Sequence, residues 1–225
     1  MIKAMILAAG KGERMGELTH DCPKPLLMVR DQPLMVYHLK KLAAIGVKDC
    51  VINVRYLGEK IQQALGDGRQ FNINIHYSVE TEALETAGGI IQTLDFFESK
   101  PFIVMSADVL SDYSLEKLLN ALNDEKNLAH LVMVNNPSHH REGDFAINAD
   151  SFLSLEGKKL NYAGIGIYHP QLFEDYTPGY RKIGDVMKEG ISKRCITGEH
   201  YDGKWLNVDT PERLALAQRE ALLYT

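Results

Sequence analysis

The sequence predicts an α/β fold, a Rossmann-like sheet that is mostly parallel but mixed, with helices on both faces. Three observations carry that prediction. Apolar runs of strand length alternate with helix-like segments through the first 135 residues. Glycines at 46 and 66 stand where helices would end, a residue type that closes helices because it tolerates a left-handed backbone. A Gly-x-Gly turn, Gly10 and Gly12, follows directly on the first apolar run, and open α/β sheets bind ligands outside the carboxyl ends of their strands. At 225 residues the chain suits one sizeable domain, read here as residues 1–225 with halves 1–135 and 136–225.

The elements follow in order. Residues 2–7 form a buried first strand. Residues 34–45 carry apolar side chains at helical spacing up to Gly46, residues 50–54 form a short core strand, and 59–65 a helix ending at Gly66. Phe71, Ile73, Ile75 and Tyr77 alternate with polar residues, the period of a half-buried strand. Helix is predicted over 86–97 and 115–122, strand over 101–105 and 128–134. A polar loop over 135–144 changes the texture, with short strands near 145–148 and over 161–168 that suggest antiparallel pairing. A last strand is placed at 204–208. A helix over 211–223 follows, with Asp209 or Thr210 as its N-cap and Pro211 at its first position.

Composition narrows the function. The net charge of −5 leaves no basic stripe to displace counterions, which argues against a nucleic-acid partner and makes any anion site a local basic pocket. Three scattered cysteines, with no paired spacing, fit a reduced setting. The first apolar run contains Lys3 and stops at Lys11, too short for a secretion signal, and no window nears the ~20 apolar residues of a membrane helix. A cytoplasmic, soluble protein is expected.

The densest chemistry lies in Leu7-Ala8-Ala9-Gly10-Lys11-Gly12-Glu13-Arg14-Met15, followed by Pro23-Lys24-Pro25-Leu26. Glycines let backbone N–H groups turn toward an anion, and Lys11, Arg14 and Lys24 can neutralise several phosphate charges. The dinucleotide fingerprint is excluded because Met15 stands where its third glycine belongs. The P-loop is excluded because no Gly-Lys-Ser/Thr follows. The two-part pattern resembles the sugar-1-phosphate nucleotidyltransferases, with Gly16-Glu17 where that family commonly has Arg-Pro.

The resemblance implies the nucleotide-diphospho-sugar transferase fold, Mg²⁺ as cofactor, and a nucleoside triphosphate and a sugar 1-phosphate as substrates. It implies catalytic roles for Arg14, Lys24 and Asp108, the last following the 101–105 strand in Ser106-Ala107-Asp108. It places Ala8, Ala9, Gly10, Lys11, Gly12, Glu13, Arg14, Lys24, Thr86, Gly88 and Gly89 against the nucleotide. Ser106, Asp144, Gly164 and Lys182 fall against the sugar phosphate. Ser106-Ala107 replaces the usual Asn-Gly. In Trp205-Leu206-Asn207-Val208-Asp209-Thr210, Asn207 takes the second metal-ligand position, with Asp209 in reserve.

The segments 136–145 and 198–201 resemble the uridylyltransferase branch acting on N-acetylmuramate 1-phosphate, a recycled peptidoglycan sugar, which makes UTP the expected donor. Guanylyl-, thymidylyl- or cytidylyltransferases for other sugar or alcohol phosphates stay open, as does a silent nucleotide-sugar sensor. The end at Thr225 suggests a single activity, without the appended domains of bifunctional relatives. Oligomeric state is not readable from the sequence.

Overall fold

The computed structural model describes residues 2–122, 124 and 126–220. In chain order these form β1 (Lys3–Leu7), β2 (Met28–Val29), β3 (Gln32–Pro33), α1 (Leu34–Ala44), β4 (Asp49–Val54), α2 (Gly58–Leu65) and β5 (Asn74–Val79). There follow α3 (Glu85–Ile91), β6 (Phe102–Ser106), β7 (Val109–Ser111), β8 (Ala129–Val134), β9 (Ala146–Ile147), β10 (Leu153–Ser154) and β11 (Asn161–Tyr168). The remainder is α4 (Ile183–Ser192), β12 (Ile196–Tyr201), β13 (Trp205–Asn207) and α5 (Pro211–Glu220). The main sheet has seven strands in the order β12-β8-β11-β6-β1-β4-β5. The β1–β4, β4–β5 and β12–β8 pairs are parallel and β11–β8 is antiparallel, the mixed, mostly parallel sheet expected.

The chain makes two compact units. The first comprises Met1–Ala83, Met105–Leu115 and Gly203–Thr225, the second Leu84–Val104 and Glu116–Asp202. In the first, β1, β4 and β5 run parallel, with Leu7 opposite Asn53 and Val54 opposite Val79. Met5, Ile6, Cys50 and Ile52 are wholly buried, which accounts for the unbroken apolar runs in β1 and β4. Helix α1 buries Leu34, Met35, Leu39 and Leu42. A further core joins Met15, Val29, Leu110, Leu206, Val208 and Leu214, and so ties the segment after the Gly10–Gly12 turn to β7, β13 and α5. In the second unit, Phe97 stacks on Phe102 at 3.7 Å between centroids. The β11 register shifts between Tyr162 and Gly166, where Gly164 takes a φ of +72°.

Several expectations need correction. The helix over 86–97 is broken: α3 ends at Ile91, the Thr93 hydroxyl donates to the Ile90 carbonyl at 2.9 Å, and 94–97 forms a 3₁₀ turn. The 115–122 helix is a 3₁₀ helix, Leu115–Asn120. The strand expected over 71–77 begins at Asn74, because Asn72 takes a φ of +60° after the 3₁₀ turn Arg69–Phe71. Strand β9 falls within the short strand expected near 145–148, whereas helix α4, strands β7, β10 and β12 and the short pair β2–β3 are not among the expected elements. Of the two N-cap candidates for α5, Thr210 serves: its Oγ1 accepts the Arg213 N–H at 3.4 Å. Helix α5 runs over Pro211–Glu220, and residues 221–223 of its expected span lie outside the described residues.

Candidate active site

In the first unit, β1 ends at Leu7 and the loop expected to bind phosphate begins. The Ala8 N–H donates to Asn53 Oδ1 at 2.9 Å, so this first amide is spent on the sheet edge. A Cβ at Gly10 would meet no atom within 4 Å, leaving open space beside the backbone. Gly12 adopts a left-handed φ of +70°, and a Cβ there would lie 3.2 Å from Lys24 Cβ, so glycine suits both the turn and the close approach. Thr19 Oγ1 donates to the Gly12 carbonyl, Met15 N–H closes a turn onto the same oxygen, and the Met15 side chain is buried. Lys11 and Glu13 are exposed and 3.5 Å apart.

The structure brings the two central predicted residues together. Lys24, held between Pro23 and Pro25, places its Nζ 2.5 Å from Asp108 Oδ2, with side-chain exposures of 14% and 20%. Asp108 sits in the turn after β6, which is braced on three sides. The Ala107 N–H donates to the Leu7 carbonyl at 3.1 Å, and the Val208 N–H donates to the Asp108 carbonyl at 2.7 Å. His38 Nε2, from the middle of α1, donates to the Ala107 carbonyl at 3.1 Å. Burial holds the His38 imidazole down to about 4, so the ring is neutral and its single proton sits on Nε2. From the same helix Lys41, whose ammonium burial also disfavours, donates to the carbonyls of Ser111 and Tyr113.

Arg14 Nη1 lies 2.5 Å from Asp209 Oδ2, and Arg213 pairs with Asp209 Oδ1. Asp209 is 1% exposed, so a buried carboxylate is neutralised by two guanidinium groups, of which Arg14 is 66% exposed. Both oxygens of the reserve metal ligand are thereby engaged. Two buried oxygens here have no hydrogen-bond partner: Asp209 Oδ2, which meets Arg14 as an ion pair, and Asn207 Oδ1. Strand β13 pairs Asn207 with Val109, the neighbour of Asp108. A carboxylate and an orphaned amide oxygen are hard donors of the kind Mg²⁺ takes, so the residues present fit that ion. Among the described residues no group of three or more His, Cys, Asp or Glu is arranged to hold a metal.

In the second unit, Thr86 is half-buried and Gly88 and Gly89 are buried in α3. The N–H groups of Ala87 and Gly88 donate to the Arg181 carbonyl at 3.1 and 3.2 Å, and a Cβ on Gly88 would meet the Gly179 carbonyl at 2.3 Å. Backbone approach, with the amide already used, is the physical reason for glycine at 88. Asp144 is fixed by the Tyr162 N–H donating to Oδ2 at 2.7 Å and by His140 Nε2 at 3.2 Å from Oδ1. Gly164 lies in the irregular stretch of β11, and Lys182 is exposed at the start of α4. Ser106 closes β6, half-buried, in the first unit.

Sequence reasoning missed His38, Asn53 and Glu80, all buried and polar in the first unit. The available signal was a polar residue inside an apolar run, since such a group is costly to bury without a specific partner.

The chain matches the Nucleotidyl transferase family over residues 3–150. It is 42% identical to the N-acetylmuramate alpha-1-phosphate uridylyltransferase of Neisseria meningitidis serogroup B, over 96% of this chain and 97% of that one. It is 31% identical to the mannose-1-phosphate guanyltransferase of Hypocrea jecorina, over 94% of this chain but 62% of that protein. In fold it resembles a Bacillus anthracis protein solved in complex with a sucrose, with a TM-score of 0.85, 22% identity, and coverage of 98% of this chain and 95% of that one. On that family match and that end-to-end relative, the chain belongs to the nucleotidyl transferase family of enzymes.

Proposed function

We propose that this enzyme transfers a uridylyl group from UTP to N-acetylmuramate 1-phosphate, giving the UDP-sugar and pyrophosphate, in the cytoplasm and in the service of cell-wall sugar recycling. The observation that carries the reading is the end-to-end similarity to a uridylyltransferase acting on that sugar phosphate. The Lys24–Asp108 pair beside the glycine loop supports it.

The attacking oxygen belongs to a phosphate and is already anionic, so alignment and charge neutralisation suffice without a general base. The loop from Ala9 to Glu13 would cradle the triphosphate, Arg14 would meet its β- and γ-phosphates, and Lys24 would clamp the α-phosphate. Asp108 and Asn207 would hold Mg²⁺, which when bound supplies charge neutralisation for the phosphates. Thr86, Gly88 and Gly89 would line the base. Ser106, Asp144, Gly164 and Lys182 would take the sugar phosphate, with Asp144 accepting hydrogen bonds from hydroxyls.

The test is pyrophosphate release by the purified protein against UTP, GTP, CTP and dTTP, each with N-acetylmuramate, N-acetylglucosamine, glucose and mannose 1-phosphates. Preference for UTP with N-acetylmuramate 1-phosphate is expected. Faster turnover with GTP and mannose 1-phosphate would move the enzyme to the guanylyl branch, and nucleotide-sugar binding without turnover would make it a sensor.

A further inference from the structure

Asn53 is the last-but-one residue of β4 and is 3% exposed. Both faces of its carboxamide are used. Oδ1 accepts the Ala8 N–H at 2.9 Å, and Nδ2 donates to Glu80 Oε1 at 2.6 Å. Ala8 and Glu80 are equally enclosed, at 5% and 4%. Strands β1, β4 and β5 are neighbours in register, so this polar strap crosses the carboxyl edge of three parallel strands. At one end it is anchored by Glu80, whose own N–H donates to the Val54 carbonyl at 2.9 Å. At the other it grips the first residue after β1, where the Gly10–Gly12 loop departs.

We propose that Asn53 is a positioning residue for the triphosphate: by pinning the Ala8 amide to the sheet edge, it sets the direction in which the loop leaves β1 and so aims the amides of residues 9–12. This rests on the nucleotidyl-transfer reading above. The side-chain chemistry is restrictive. An N–H must meet an acceptor while a carboxylate must meet a donor, and a carboxamide offers the two on separate atoms that can face opposite ways. An aspartate would set two buried carboxylates face to face, and an apolar isostere would take the acceptor from the Ala8 N–H and a donor from the buried Glu80. The strap touches no phosphate itself; it acts through Ala8.

The polarity of the strap supplies its own test. Asn53→Asp presents acid to acid, whereas Asn53→Asp combined with Glu80→Gln restores one donor and one acceptor at the contact, with the roles exchanged and the single negative charge moved from residue 80 to residue 53. Glu80→Gln alone keeps an acceptor oxygen for Asn53 and is expected to be mild. In N53D the KM for UTP is expected to rise about tenfold, the scale of one mismatched buried hydrogen bond, while the KM for the sugar phosphate moves by less than about twofold. The double variant is expected to recover most of the loss. An unchanged KM for UTP in folded N53D, or a double variant no better than N53D, overturns the proposal.

A second arm needs no turnover. Amide hydrogen exchange over residues 7–14 is expected to be faster in Asn53→Ala than in the wild type, and equal rates overturn the proposal even if N53D does not fold. Failure of the functional reading shows elsewhere, as wild-type protein inactive on every substrate pair.

Discussion

Lys24 Nζ lies 2.5 Å from Asp108 Oδ2, although 84 residues of chain separate them. Each neutralises the other in a partly buried place, so the ammonium and the carboxylate are oriented before any substrate arrives. Lys24→Ala and Asp108→Ala are expected to lower turnover by about 10²–10³-fold, the scale of losing one preorganised charged group. Pyrophosphate release measures this, with circular dichroism confirming the fold. Near-normal turnover in either folded variant would remove the pair from catalysis.

The two arginines on Asp209 separate stability from activity. Arg14 is largely exposed, so its pair with Asp209 contributes at most about 1 kcal/mol to stability. Arg213 is 22% exposed and pairs with a buried carboxylate, so its loss leaves that charge under-compensated at a cost of about 3 kcal/mol. Arg14→Met is therefore expected to cut turnover and spare the urea midpoint, and Arg213→Met to do the reverse. Equal destabilisation by the two substitutions would contradict this division.

His38 makes folding sensitive to acid. Its native imidazole stays neutral down to about 4 against an ordinary 6.5, because loss of water outweighs the Ala107 hydrogen bond and the attraction of Asp108, and Lys41 opposes protonation as well. Between those values the unfolded chain binds the extra proton and the native protein does not, so stability falls as pH drops through that window, by on the order of 3 kcal/mol in all. Urea unfolding followed from pH 7 to 4 should show this slope in the wild type and a shallower one in His38→Gln. Parallel curves would exclude His38 as its source.

Two glycines should answer alanine differently. A Cβ on Gly88 would strike the Gly179 carbonyl, so Gly88→Ala is expected to cost about 1–3 kcal/mol and lower the melting temperature. A Cβ on Gly10 enters open space, so Gly10→Ala is expected to melt like the wild type and, on the proposed function, to weaken UTP binding by filling room beside the loop. Thermal unfolding and KM for UTP, measured on both variants, decide the matter.

What the sequence made legible was local. The apolar run of β1, its glycine turn and the Pro-Lys-Pro frame announce themselves because each works through adjacent residues. Helix α4 was hidden by its own packing. Ile183, Val186 and Met187 keep helical spacing, but the next position on that face is Gly190, where a Cβ would come within 2.6 Å of Ile196 Cδ1. A glycine chosen for close approach reads in sequence as a helix breaker. His38 and Asn53 were hidden by distance, since their partners Ala107 and Ala8 lie 69 and 45 residues away. The fate of Asp209 was likewise tertiary, fixed by Arg14 arriving from near the other end of the chain.

The interleaving of the two units has a consequence for biosynthesis. Every segment of the unit built from Leu84–Val104 and Glu116–Asp202 has been translated before Gly203 is added. The other unit starts first yet waits for β13, whose neighbour Val208 holds the Asp108 carbonyl. On the ribosome the later-starting unit is thus the first to have all of its segments available, and the earlier-starting one still lacks the strand that reaches Asp108.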